Sequence, residues 1–131
     1  MPTKPLHPGP LLIVEDRVEV RSALTRFFGL WFQQVYAAAS PSEADSILRE
    51  HAPCVLLCDY WLGDASPPGT ELIATWRVRF PCLKRAVLMT GNRASAPCDV
   101  LGVDAVFQKP PNLKLVTAFL LGQIDQVPPE Q

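Results

Sequence analysis

Short unbroken apolar runs alternate along this chain with stretches whose apolar residues recur at helical spacing. Leu11-Leu12-Ile13-Val14 is the first run, and it stops at the acids Glu15 and Asp16. Such a run suits a strand covered on both faces. Val20, Leu24, Phe27, Phe28 and Trp31 follow at the three-and-four spacing of one helix stripe. Val35 to Ala39 reads as a second, weaker strand. Ser40, Pro41 and Glu43 then open a helix with a capping hydroxyl, a proline at the first position and a carboxylate three residues on. Ala44, Ile47 and Leu48 form its buried stripe. Cys54-Val55-Leu56-Leu57-Cys58 is a third strand ending at Asp59. A polar, proline-containing loop runs from Asp59 to Gly69. Leu72, Ile73, Trp76 and Phe80 mark a further helix, stopped by Pro81. Ala86-Val87-Leu88-Met89 is a fourth strand ending at Thr90. The stretch from Asn92 to Leu101 is a poor helix, because Pro97 interrupts it. Ala105-Val106-Phe107 is a short fifth strand ending near Lys109. Pro110-Pro111 leads into a last helix carrying Leu113, Val116, Phe119 and Leu120.

Strand–helix alternation repeated five times predicts an α/β fold, a single-domain (βα)5 doubly wound parallel sheet with helices on both faces. In such open sheets ligands bind beyond the carboxyl ends of the strands, where the strand order reverses. The two ends of the chain lack this pattern. Residues 1–10 carry Pro2, Pro5, Pro8 and Pro10, and residues 126–131 carry Pro128 and Pro129. Both read as extended tails, the second also as the stub of a linker. The domain is therefore expected over residues 11–125.

Composition narrows the function classes. The 131 residues are 48% apolar and 19% charged, enough apolar material for one real core. A net charge of −1 and the lack of any Lys/Arg run supply no field for nucleic acid or an anionic membrane. No apolar run approaches the roughly 20 residues of a membrane span, and Met1 to Pro10 lack the apolar region of a signal peptide. A cytoplasmic location is expected. Cys54, Cys58, Cys82 and Cys98 show no metal-ligand spacing, and they read as free thiols.

The predicted strand ends carry the chemistry. Strand one ends in Glu15-Asp16, strand three in Asp59, strand four in Thr90-Gly91, and strand five is followed by Lys109-Pro110. The fold brings these residues to one edge. Crowded carboxylates repel and raise one another's pKa unless a cation intervenes. A hard divalent cation with oxygen ligands, Mg²⁺ or Mn²⁺, answers this. Zinc does not, because no His or Cys belongs to the set. With the cation bound, Asp59 has the chemistry of a nucleophile toward phosphorus. Lys109 would offset charge on the transferring group, Thr90 would donate to it, and the Gly91 N–H has no side chain to hinder its approach.

The ordered set Leu11-Leu12-Ile13-Val14-Glu15-Asp16, Leu57-Cys58-Asp59-Tyr60-Trp61-Leu62, Leu88-Met89-Thr90-Gly91 and Phe107-Gln108-Lys109-Pro110 resembles the response-regulator receiver (CheY-like) family. Gly69-Thr70-Glu71-Leu72 resembles the motif that opens the family's third helix. The resemblance implies a flavodoxin-like three-layer sandwich with strand order 2-1-3-4-5. It implies a phosphoacceptor switch, not an enzyme acting on a separate substrate. Asp59 would take a phosphoryl group from a sensor histidine kinase or phosphotransfer protein and would control an output domain or a homodimer partner. It further implies Mg²⁺ held by Asp16, Asp59 and the Trp61 carbonyl, with Glu15 acting through water. Phosphoryl contacts would come from Lys109, Thr90 and the backbone N–H groups of Gly91 and Tyr60. The Lys109–Pro110 peptide is expected to be cis.

The chain departs from the family in three places. Val106 stands where the family has an aromatic switch residue, and Phe107 should face the other side of the sheet because strand side chains alternate. The segment between Thr90 and Lys109 is short, and the Asp59–Gly69 loop is long and carries Pro67-Pro68. These departures keep an alternative in play: a phosphorylation-independent pseudo-receiver that serves as an interaction module. A dehalogenase-type phosphatase would need a second Asp where Trp61 stands. A nucleotide binder would need a glycine-rich loop where Glu15-Asp16-Arg17-Val18 stands. Trp61 is bulky for its place just after Asp59; beside the plain reading of a half-exposed loop aromatic stands a sharper one, that its ring shields an acyl phosphate from water. Trp61→Ala is therefore expected to shorten the phosphoryl lifetime in a phosphate-release assay, and an unchanged lifetime would refute the shielding role.

Overall fold

The computed structural model describes residues 7, 9–63, 65–91 and 102–126. Five strands, β1 (Leu11–Val14), β2 (Val35–Ala38), β3 (Val55–Asp59), β4 (Arg85–Thr90) and β5 (Ala105–Gln108), form one sheet in the order β2-β1-β3-β4-β5. Every pairing is parallel. The described helices are α1 (Val18–Phe28), α2 (Pro41–His51), α3 (Gly69–Arg79) and α4 (Leu113–Leu120). The poor helix expected around Pro97, and Cys98 with it, lies outside the described residues. The strand order matches the sequence expectation. It reverses at β1, so the crevice between the ends of β1 and β3 is where this topology places a ligand.

Alternation along the buried strands builds two cores. Leu12, Val14, Leu56, Cys58, Leu88 and Val106 face one side, where Ala44 and Leu48 of α2 and Ile73 and Trp76 of α3 cover them. Leu11, Ile13, Leu57, Val87, Met89 and Phe107 face the other, under Leu24 and Phe28 of α1 and Val116, Phe119 and Leu120 of α4. Val106 and Phe107 are thus separated by the sheet. The Phe107 ring is fully enclosed and has no path to the face that Val106 occupies.

Local chemistry explains the element ends. Ser40 caps α2 by accepting from the Glu43 N–H at 3.2 Å. The Glu43 carboxylate reaches one residue further back than a standard capping box, accepting from the Ala39 N–H at 2.9 Å. Helix α1 ends at Phe28, earlier than its apolar stripe suggested, so Trp31 lies beyond it and is 40% exposed. Phe32 fills the buried position instead and packs edge-on against Phe28. Helical periodicity could not show this, because the turn at Gly29 resets the phase. His7, in the proline-rich leading segment, bridges to Phe32 in parallel, donating its N–H to the Trp31 carbonyl at 2.8 Å. Arg85 donates to the carbonyls of Phe119 and Ile124 and pairs with Asp125, fastening the residues after α4 to the start of β4. Arg77 pairs with Asp104, whose carboxylate also accepts from the Ala86 N–H at 2.8 Å.

Because the Ser40 hydroxyl is the side-chain cap of α2, Ser40→Ala is expected to destabilise the fold by about 1 kcal/mol. Urea unfolding checks this. Equal midpoints for the two proteins would show that the cap is idle.

Candidate functional site

The strand registers bring the candidate residues together. Val14 pairs with Cys58, so the next residues, Glu15 and Asp59, end neighbouring strands side by side. Asp59 in turn pairs with Met89, and Thr90 pairs with Gln108, one residue before Lys109. Carboxylate oxygens of Glu15, Asp16 and Asp59 lie within 4.8 Å of one another. The Lys109 ammonium spans two of them, donating to Glu15 Oε1 at 2.9 Å and lying 3.1 Å from Asp59 Oδ1. The Lys109–Pro110 peptide is cis. Glu15, Asp59 and Thr90 are buried, while Asp16 is exposed.

Two structural devices make this packing achievable. Gly69 begins α3 against the end of β3, donating its N–H to the Tyr60 carbonyl at 2.7 Å. A Cβ there would lie 2.5 Å from the Asp59 carbonyl oxygen, so only glycine lets the helix come this close. Arg21, on α1, sends its guanidinium back to the β1–α1 loop. It donates to the Glu15 carbonyl at 2.9 Å and, at a longer 3.3 Å, to the Asp16 carbonyl. The Arg17 N–H completes the turn by donating to Glu15 Oε2 at 3.2 Å.

The electrostatics follow from burial. Burial pushes the Asp59 carboxyl up from its ordinary 3.8 to about 6. The Lys109 charge and its hydrogen bond pull the other way, while the Glu15 and Asp16 charges add to the rise. Burial works to lower the Lys109 pKa, but hydrogen bonds and charge from Glu15 and Asp59 outweigh it, and the net shift is upward. The Cys58 thiol, enclosed just before Asp59, is pushed well above the usual thiol range by burial and by the Asp59 and Glu15 charges.

The set fits a hard cation. All three side-chain donors are carboxylate oxygens, one is solvent-facing, and one ammonium cannot balance three negative charges. Asp16, Asp59 and Glu15 are the side chains that would hold Mg²⁺. Trp61 follows on the loop and is half-exposed, and among the described residues neither its N–H nor its carbonyl makes a backbone hydrogen bond. Its carbonyl therefore suits the ligand role assigned to it. Tyr60 does not suit its role. The Tyr60 N–H is donated to the Met89 carbonyl at 2.7 Å, which continues the β3–β4 pairing, so it cannot turn to a phosphoryl oxygen. The Trp61 N–H makes no such backbone bond among the described residues. The sequence could not separate the two because the strand's last hydrogen bond is invisible in it. Arg21 was also missed. Its signal was a cation early in a helix, where the dipole disfavours positive charge unless carbonyls are within reach.

No family model and no curated protein matches this sequence. Solved structures do resemble it. A response-regulator receiver domain from Clostridium thermocellum superimposes with a TM-score of 0.75 at 14% identity, covering 88% of this chain and 92% of that one. A CheY-like receiver domain from Methylobacillus flagellatus gives 0.75 at 19% identity, covering 88% and 98%. A LuxR-family DNA-binding response regulator from Staphylococcus aureus gives 0.73 at 19%, covering 90% and 99%. The fold is the response-regulator receiver (CheY-like) fold.

The raised Asp59 pKa has a consequence for stability. The folded state binds this proton more tightly than the unfolded chain does. The contribution is complete below about pH 4 and is lost as pH rises through about 6. In a chelating buffer near pH 7, Asp59→Asn is therefore expected to melt at a higher temperature than the wild type. The gap should close below about pH 4, and thermal melts across this range measure it. A gap independent of pH would contradict the assignment.

Proposed function

We propose that this chain is a phosphoacceptor switch of two-component signalling, with Asp59 as the acceptor. The convergence of Glu15, Asp16 and Asp59, bridged by Lys109, is the observation that carries this reading. Asp59 attacks phosphorus through a carboxylate oxygen, the bond from phosphorus to the donor nitrogen or oxygen breaks, and an acyl phosphate results. Lys109 already contacts the attacking carboxylate, so its ammonium is in place to bind a phosphoryl oxygen. The Thr90 hydroxyl and the N–H groups of Gly91 and Trp61 supply neutral donors around the same oxygens. Bound Mg²⁺ would supply the remaining positive charge at the acidic rim and on the transferring group. The phospho-His of a sensor histidine kinase or phosphotransfer protein is the natural donor, which carries with it a cytoplasmic location. Among the described residues no helix is long and apolar enough to cross a membrane.

Adding a phosphoryl group brings charge of about −1.5 to −2 to a buried carboxylate. Lys109 must then shift its contacts from Glu15 toward the phosphoryl oxygens. The switch acts through this redistribution at the rim and controls an output domain or a partner protein. No aromatic rotamer at position 106 takes part, since the residue there is Val106.

Acetyl phosphate with Mg²⁺ tests the reading. The intact protein should gain the mass of one phosphoryl group, and Asp59→Asn should gain none. Lys109→Ala should slow the reaction at least about tenfold, the scale of losing a positioned charge-stabilising donor. A wild-type protein that stays unmodified, with melts unchanged by Mg²⁺, would refute the phosphoacceptor role and favour a phosphorylation-independent docking module.

A further inference from the structure

Glu15, Asp16 and Asp59 are not held in the same way. The Glu15 carboxylate is fixed by the Lys109 ammonium and the Arg17 N–H, and the Asp59 carboxylate is steadied by Lys109. Asp16 is solvent-exposed, and its aim depends on its backbone. The two peptide planes that flank its Cα carry the Glu15 and Asp16 carbonyls, and Arg21 Nη1 bonds both, at 2.9 and 3.3 Å. Fixing both planes fixes φ and ψ of Asp16 and hence the direction of its Cα–Cβ bond. The Glu15 N–H, donated to the Ala38 carbonyl at 3.0 Å, anchors the other end of the turn. Arg21 is itself seated on regular helix, its own N–H bonded to the Arg17 carbonyl at 2.9 Å.

We propose that Arg21 is a positioning residue for the divalent-cation site, aiming Asp16 at the position shared with Asp59. The inference rests on the phosphoacceptor reading above and adds a residue to it. Outer partners that orient a metal ligand commonly change metal affinity 10- to 100-fold when removed. Arg21→Met keeps the length and apolar stem of the side chain but removes its donors.

Calorimetric titration with Mg²⁺ alone, on the intact protein, tests the proposal. It is paired with the acetyl phosphate rate measured across Mg²⁺ concentrations. Arg21→Met should raise the half-saturating Mg²⁺ concentration about tenfold, while the rate at saturating Mg²⁺ stays near the wild-type value. A role confined to stabilising the fold would instead lower the melting temperature and the maximal rate without moving half-saturation. Arg21→Lys retains one ammonium able to reach a single carbonyl, so it should recover part of the affinity. If Arg21→Met does not fold, Arg21→Lys carries the test alone: an intermediate loss supports the proposal and wild-type affinity overturns it. Asp16→Asn keeps the two readings apart. Loss of Mg²⁺ binding in Asp16→Asn with full binding in the Arg21 variants defeats only the Arg21 proposal. No Mg²⁺ binding by the wild type defeats the site itself.

Discussion

Parallel strands in register bring like charges together at one rim, and the molecule has to live with the result. Two buried carboxylates at adjacent strand ends, with a third on the following residue, would repel strongly in a desolvated cleft. Lys109 relieves part of this by lying between Glu15 and Asp59. One ammonium stands against three carboxylates; burial is the main cause of the raised Asp59 pKa, and the Glu15 and Asp16 charges add to it. A site left short of positive charge is one that welcomes a cation, and the same deficit makes its main carboxylate responsive to whatever charge arrives. The close approach of α3 at Gly69, the cross-bracing of the β1–α1 loop and the turn after β5 all serve to keep these groups in one place.

Much of this was legible in the sequence, because the strands are buried on both faces and therefore read as unbroken apolar runs. Leu11 to Val14, the run ending at Asp59 and the run ending at Thr90 gave both the elements and the chemistry at their ends. Ser40, Pro41 and Glu43 marked the start of α2 through side-chain bonds that the structure contains. What could not be read were features decided by hydrogen bonds across the chain. The end of α1 at Phe28, with Trp31 exposed and Phe32 buried, depends on a turn that breaks the helical phase. The occupied Tyr60 N–H depends on β3 pairing one step further with Met89. The Arg21 contacts depend on where a long, flexible side chain folds back.

The two faces of the sheet also constrain how a signal could leave the rim. Phe107 sits locked beneath α1 and α4, and Val106 on the opposite face is small. Neither residue offers a ring that swings between inner and outer positions. Thr90 and Lys109 are linked instead through the main chain of β4 and β5, which are joined by parallel pairing from Val87 to Thr90. Arg77 and Arg85 brace the opposite ends of these strands, through Asp104 and the residues after α4.

Cys58 gives this arrangement a built-in clock. Its sulfur is enclosed one residue before the acceptor aspartate and donates to the Asp59 carbonyl at 3.3 Å. A thiol so enclosed, and so reluctant to ionise, is closed to alkylating reagents while the sheet is intact. It becomes reactive only during the moments when the layer of α2 and α3 that covers this face of β3 lifts away. The pace at which a reagent captures that sulfur thus counts those openings, one residue from Asp59.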